Sequence, residues 1–224
     1  VSDTISSDNF FAGILGLASS SANTVKPNRQ ATFLDNVKDE LKEPVFTANL
    51  KKGVPGNYNF GYINESEYIG DIAYTPIDLQ TPYWQIVLSG AQIGKDGEFR
   101  EVPVRGIVDT GTTLLLMPQE IVDAYYAEVP GSFFDRTSAV MVFPCGQTPP
   151  DFIFGVGEYR GIIPGHYMNY APLNGTHCFG GLQSSQGIPF SVFGAILIKA
   201  QFVVFDRGNL RIGFANKATE PPSS

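Results

Sequence analysis

Short apolar runs, cut apart by two-residue turn signals, are the feature that most narrows what this chain can fold into. Tyr83–Leu88, Val102–Val108, Gln201–Phe205 and Leu210–Phe214 are apolar or alternate with period two, as strands do. Pro55-Gly56, Asp96-Gly97, Pro130-Gly131, Pro164-Gly165 and Asn174-Gly175 punctuate the chain with turns. Helical periodicity is scarce. Thr32–Leu41 places Phe33, Leu34, Val37 and Leu41 on one face, and a second helix is predicted from Pro118 to about Val129, where Gly131 stops it. The expectation is an all-β protein with two or three short helices.

Charge and cysteine content exclude several functions. The formal charge of −7 argues against nucleic acid or an anionic membrane as a partner, since both need a basic face. No run approaches the length of a membrane-spanning helix, so no membrane partner is expected. The two histidines, His166 and His177, and the two cysteines, Cys145 and Cys178, show no metal-ligand spacing. No metal or other cofactor is expected, and Phe154-Gly-Val-Gly157 lacks the third glycine and helix of a dinucleotide loop. Tyr125-Tyr126 reads as packing. Sequons at Asn64 and Asn174 lean toward a secreted, extracellular glycoprotein.

One segment carries chemistry. In Arg105-Gly-Ile-Val-Asp109-Thr-Gly-Thr-Thr113 an apolar strand delivers a carboxylate into a tight turn crowded with hydroxyls. Gly111 permits close backbone approach there, and hydrogen bonds to an Asp favour its charged form. A bare Asp-Thr-Gly could equally cap a turn. The preceding strand, the extra threonines and the following leucines favour a functional site. An apolar-apolar-Gly turn also occurs twice, at Ile14-Leu15-Gly16 and Val192-Phe193-Gly194. If that repeat is genuine, a sister Asp-Thr-Gly belongs roughly 70 residues before Val1.

With these residues in view, the chain resembles the pepsin-like aspartic proteases, above all their secreted fungal members. The matching stretches are Gly13–Ala18, Pro44–Ala48, Gly56–Gly61, Ile107–Leu115, Val142–Cys145, Cys178–Ser185 and Phe202–Asp206, in the family's order. The resemblance implies a bilobal all-β fold. Residues 1–78 would be the end of an N-terminal lobe, incomplete here, with the interlobe connection. Residues 79–224 would be the C-terminal lobe with the second catalytic Asp.

The implied function is an aspartic endopeptidase, made as a zymogen, that cleaves peptide bonds flanked by bulky apolar residues. Two aspartates share one proton; one acts as base on a water and the other polarises the scissile carbonyl. Asp109 would be one of them, Thr112 would hydrogen-bond it, and Thr110 would lock the two active-site loops together. Gly111 and Thr113 would contact substrate backbone. Ile107, Ile188, Phe190 and Val192 would line the cleft, although ordinary packing is the competing reading for each. The first Asp and the flap would come from an N-terminal segment of the same precursor, so this chain alone is expected not to be competent. It would be the C-terminal chain of a cleaved enzyme or part of one.

Other implied partners are polypeptide substrates and statine-type peptide inhibitors. Cys145 and Cys178 would form the lobe's disulfide, worth roughly 3–4 kcal/mol in a chain-entropy account. Many relatives carry Asp where this chain has Ala195, which alters the charge around the catalytic pair. A catalytically inactive binding or inhibitor protein of the same fold is the alternative. An unrelated carbohydrate-binding β-sandwich is a weaker rival, because the chain has one Trp and such a face needs aromatic platforms.

Overall fold

The computed structural model describes residues 13–218. Residues 1–12, the start of the first predicted segment, lie outside the described residues. The chain's regular structure is mostly short strands, gathered into four sheets, with a few short helices.

One sheet, the central sheet, joins residues 45–76 to residues 201–217. Its five antiparallel strands run in the order Asn57–Phe60, Val45–Asn49, Gln201–Asp206, Arg211–Lys217 and Tyr68–Pro76. Every residue of Val45–Asn49 and Gln201–Asp206 is buried, the polar Thr47 and Asn49 included. On this sheet Phe46 and Phe205 stack with ring centroids 4.3 Å apart, and Trp84 meets both edge-on. The Trp84 indole N–H donates to the Leu17 carbonyl at 2.8 Å, which satisfies the polar atom of this aromatic cluster.

A second sheet of five strands is mixed, with Leu182–Ser184, Leu115–Met117, Ser191–Phe193, Val104–Val108 and Gln85–Leu88 in that order. Three strands, Tyr159–Ile163, Phe152–Val156 and Ala91–Ile93, make a third sheet. The fourth runs Asn169–Pro172, His177–Gly180, Val140–Pro144 and Phe133–Asp135. In it Cys178 pairs with Phe143 and forms a disulfide with Cys145 across a 33-residue separation. Among the described residues no helix is long and apolar enough to cross a membrane.

The helices partly follow the sequence reading. The predicted second helix is present as Gln119–Ala127 and buries Val122, Tyr125 and Tyr126. The Tyr125 and Tyr126 hydroxyls donate to the carbonyls of Pro150 and Leu182, each at 2.8 Å, so this pair packs the core. The first predicted helix is shorter than its periodicity suggests, running Phe33–Val37 in place of Thr32–Leu41. Only Leu34 of that helix is buried, and without a buried face a second turn is not sustained. The reading missed the helix Ala195–Ala200, whose first four residues are all buried and therefore show no 3.6-residue pattern.

Two carboxylates anchor the chain's far end. Asp206, 2% exposed, accepts from Asn209 N, Asn209 Nδ2 and Arg211 Nε at 2.8–2.9 Å. Asp35 accepts from Ser20 and from Arg207 Nε at 3.2 Å. Burial pushes each carboxyl upward, but these donors outweigh it and hold both below the ordinary aspartate value. A lowered folded-state pKa means stability that is present above about pH 4 and lost as pH falls through the folded value. Asp206→Asn is therefore expected to cost about 2 kcal/mol in denaturant unfolding near pH 6, with the gap to the parent closing in acid. In the aromatic cluster, Phe205→Ala is expected to cost about 3–5 kcal/mol by the same measurement.

Candidate active site

Asp109 lies where a strand leaves its sheet. Val104–Val108 runs between Gln85–Leu88, which is antiparallel to it, and Ser191–Phe193, which is parallel. Gly106 lets the neighbour come close, since a Cβ there would stand 2.6 Å from the Phe193 ring and 2.8 Å from the Ser191 carbonyl. The Asp109 amide makes a last bond to the Phe193 carbonyl at 3.2 Å. The chain then turns, and Leu115–Met117 comes back along the opposite side of Ser191–Phe193, antiparallel to it.

Both carboxylate oxygens of Asp109 are held. The Gly111 amide donates to Oδ1 at 2.9 Å, and the Thr112 hydroxyl donates to Oδ2 at 2.7 Å. Thr110 and Thr112 are half-buried, while Gly111 and Thr113 are exposed. The turn is fixed from behind by the start of the helix Ala195–Ala200. Ala195 N donates to the Thr112 carbonyl at 2.7 Å, and Ile196 N donates to the Thr113 carbonyl at 3.0 Å. Two of the helix's orphan amides are thereby spent on the Asp109 turn.

This arrangement presents a half-buried carboxylate in a fixed orientation. Such a group can accept or deliver one proton, or orient a water. Among the described residues no second carboxylate hydrogen-bonds Asp109, and no group of three or more His, Cys, Asp or Glu side chains is placed to hold a metal ion. The two apolar-apolar-Gly turns differ in setting. Val192-Phe193-Gly194 is buried beside the Asp109 turn. Ile14 and Leu15 of the other are 73% and 58% exposed.

Of the residues suggested for a cleft, Ile107 and Val192 are register partners, the first half-buried and the second buried. Phe190 is half-buried against Tyr83, with ring centroids 6.0 Å apart, and Ile188 is 41% exposed. Tyr83 escaped the sequence reading because nothing local marks a contact so distant in sequence. Gly106 escaped it too, although a glycine inside an apolar strand signals close backbone approach. Asn64 and Asn174 lie far along the chain from the Asp109 turn, each accepting bonds from its own sequon's hydroxyl residue.

Comparison with known proteins agrees with this geometry. A profile of the eukaryotic aspartyl protease family matches residues 2–217. The chain belongs to the eukaryotic aspartyl protease family. It is 44% identical over 220 residues to aspergillopepsin-1 of Aspergillus flavus, covering 97% of this chain and 54% of that protein. Penicillopepsin-1 of Talaromyces stipitatus is 47% identical over 218 residues, 97% of this chain and 56% of its own length. Endothiapepsin of Cryphonectria parasitica is 44% identical over 220 residues, with 97% and 52% covered. The chain thus spans about half the length of the curated relatives it matches. Its sheets and short helices are those of a pepsin-like aspartyl protease fold.

Gly194 tests how far the Asp109 turn depends on its backing. A Cβ there would meet the carbonyls of Leu114 and Thr112 at 2.3 and 2.5 Å, both main-chain atoms that cannot swing away. Gly194→Ala is expected to cost about 3 kcal/mol or more in thermal unfolding. Gly146→Ala, where a Cβ meets nothing within 4 Å, is expected to stay within about 0.5 kcal/mol of the parent.

Proposed function

We propose that this chain supplies one half of the active site of an aspartic endopeptidase, with Asp109 as one of two carboxylates that activate a water against a peptide bond. The observation carrying this reading is the Asp109 turn itself. Gly111 and Thr112 fix both oxygens of a half-buried carboxylate, and membership of the aspartyl protease family adds the chemistry. Thr112 is the positioning residue. Gly111 and Thr113, exposed beside the carboxylate, are suited to pair with substrate backbone, and Thr110 to brace the opposing active-site loop.

The second carboxylate and the flap belong, in this reading, to an N-terminal segment of the same precursor. The exposed Ile14 and Leu15 support this, because they repeat the pattern of the buried Val192-Phe193-Gly194 and, among the described residues, no strand pairs with them. Substrates are polypeptides. Ile107, Ile188, Phe190 and Val192 favour bulky apolar side chains on either side of the cut, and statine-type peptides would inhibit. The disulfide and the two sequons support secretion to the extracellular medium, with maturation from a zymogen.

In the full-length protein, Asp109→Asn is expected to lower kcat for peptide cleavage by roughly a hundred- to ten-thousand-fold with little change in folding. Cleavage unaffected by that change, or by a statine-type peptide, would overturn the reading. Absence of any peptide cleavage by the full-length protein would leave an inactive binding protein of the same fold.

A further inference from the structure

The two sequons differ in what their amide nitrogens do. At Asn64 the side-chain Nδ2 donates to Glu67 Oε1 at 3.2 Å. The same carboxylate takes bonds from Asn57 and Asn59, and Glu67 directly precedes the strand Tyr68–Pro76. Asn64 is half-buried within that network. At Asn174 the side chain is exposed. Its Oδ1 accepts from Thr176 N at 2.9 Å, Thr176 Oγ1 at 3.1 Å and His177 N at 2.8 Å. With the oxygen turned toward the chain, Nδ2 is left for solvent, and among the described residues it has no hydrogen-bond partner.

Beside this turn lies an uncovered aromatic strip. His177 and Phe179 share one face of their strand. Phe133 meets His177 edge-on at 5.2 Å, and Tyr170 meets Phe179 edge-on at 5.7 Å. Phe133 and Tyr170 are 47% and 46% exposed, and Leu173, next to Asn174, is 36% exposed. The two outer strands of this sheet, Phe133–Asp135 and Asn169–Pro172, are its edges. Exposed apolar faces and open edges are sites of association.

We infer that Asn174 carries an N-linked glycan whose first sugars lie against the Phe133–His177–Phe179–Tyr170 strip, while Asn64 stays unmodified in the finished protein. The inference rests on the secretory reading above. The bond forms between Asn174 Nδ2 and the anomeric carbon of an oligosaccharide donated as its lipid pyrophosphate. The pyrophosphate leaves and Nδ2 gives up one proton. The C–H faces of the sugar rings cover the aromatic rings, and their hydroxyls face water. At Asn64 a sugar would enter the Glu67 network and disturb the entry to a strand of the central sheet.

The test is peptide mapping of the protein as its own organism makes it, taken separately from medium and cells. An amidase that converts glycosylated Asn to Asp in heavy-oxygen water marks each occupied site. Label at residue 174 in most copies from the medium, with none at residue 64, is the expected result. Secreted protein that is bare at Asn174, or labelled at Asn64, overturns the inference. Protein confined to the cells overturns the secretory reading and the inference with it.

Coverage of the strip is tested by removing the glycan from folded protein and by Asn174→Gln made in the same host. Both are expected to raise light scattering of concentrated protein several-fold, and Phe133→Ser with Tyr170→Ser is expected to abolish that rise. Unchanged scattering after deglycosylation would overturn the shielding role.

Discussion

The site depends on one strand, Ser191–Phe193, held between the two arms of the Asp109 loop. Its Phe193 carbonyl takes the Asp109 amide, and the residues that follow it give their amides to Thr112 and Thr113. A loop this tight, with four threonine and glycine residues in succession, has no side-chain core of its own. Its shape comes from main-chain bonds to an element about eighty residues further along the chain. Main-chain bonding of this kind preorganises the carboxylate, as the proton transfer proposed for it requires.

Behind the site, the aromatic core does a second job. Trp84 sits between the Asp109 sheet and the central sheet, giving its carbonyl to Val108 and its ring to Phe46 and Phe205. The strand that delivers the carboxylate is therefore registered against the strands that join the two ends of the chain. The carboxylates of Asp206, buried, and Asp35, half-buried, tie the same region to Arg211 and Arg207. The central sheet is a platform for the loop as well as a connection.

Much of this was legible in the residues. The strand that ends beside Asp109, the helix after Pro118 and the packing role of Tyr125-Tyr126 follow from local pattern. What local pattern could not give was contact at a distance. Thr32–Leu41 has helical periodicity, but little covers its apolar face and it stops at Val37. Ala195–Ala200 is helical although its composition suits a strand, and with its first four residues all buried it shows no amphipathic pattern. The pairing of Tyr83 with Phe190 and the need for Gly106 arise only when distant strands meet.

The order of strands in the central sheet has a bearing on how the chain is made. Val45–Asn49 sits beside Gln201–Asp206, and Tyr68–Pro76 beside Arg211–Lys217, so the early strands pair with strands much later in the chain. Those early apolar strands leave the ribosome well before their neighbours exist. Pairing over such separations is slow to form, and the waiting segments are open to wrong partners. The sheet that steadies the Asp109 loop thus cannot close until the chain has been made as far as Lys217.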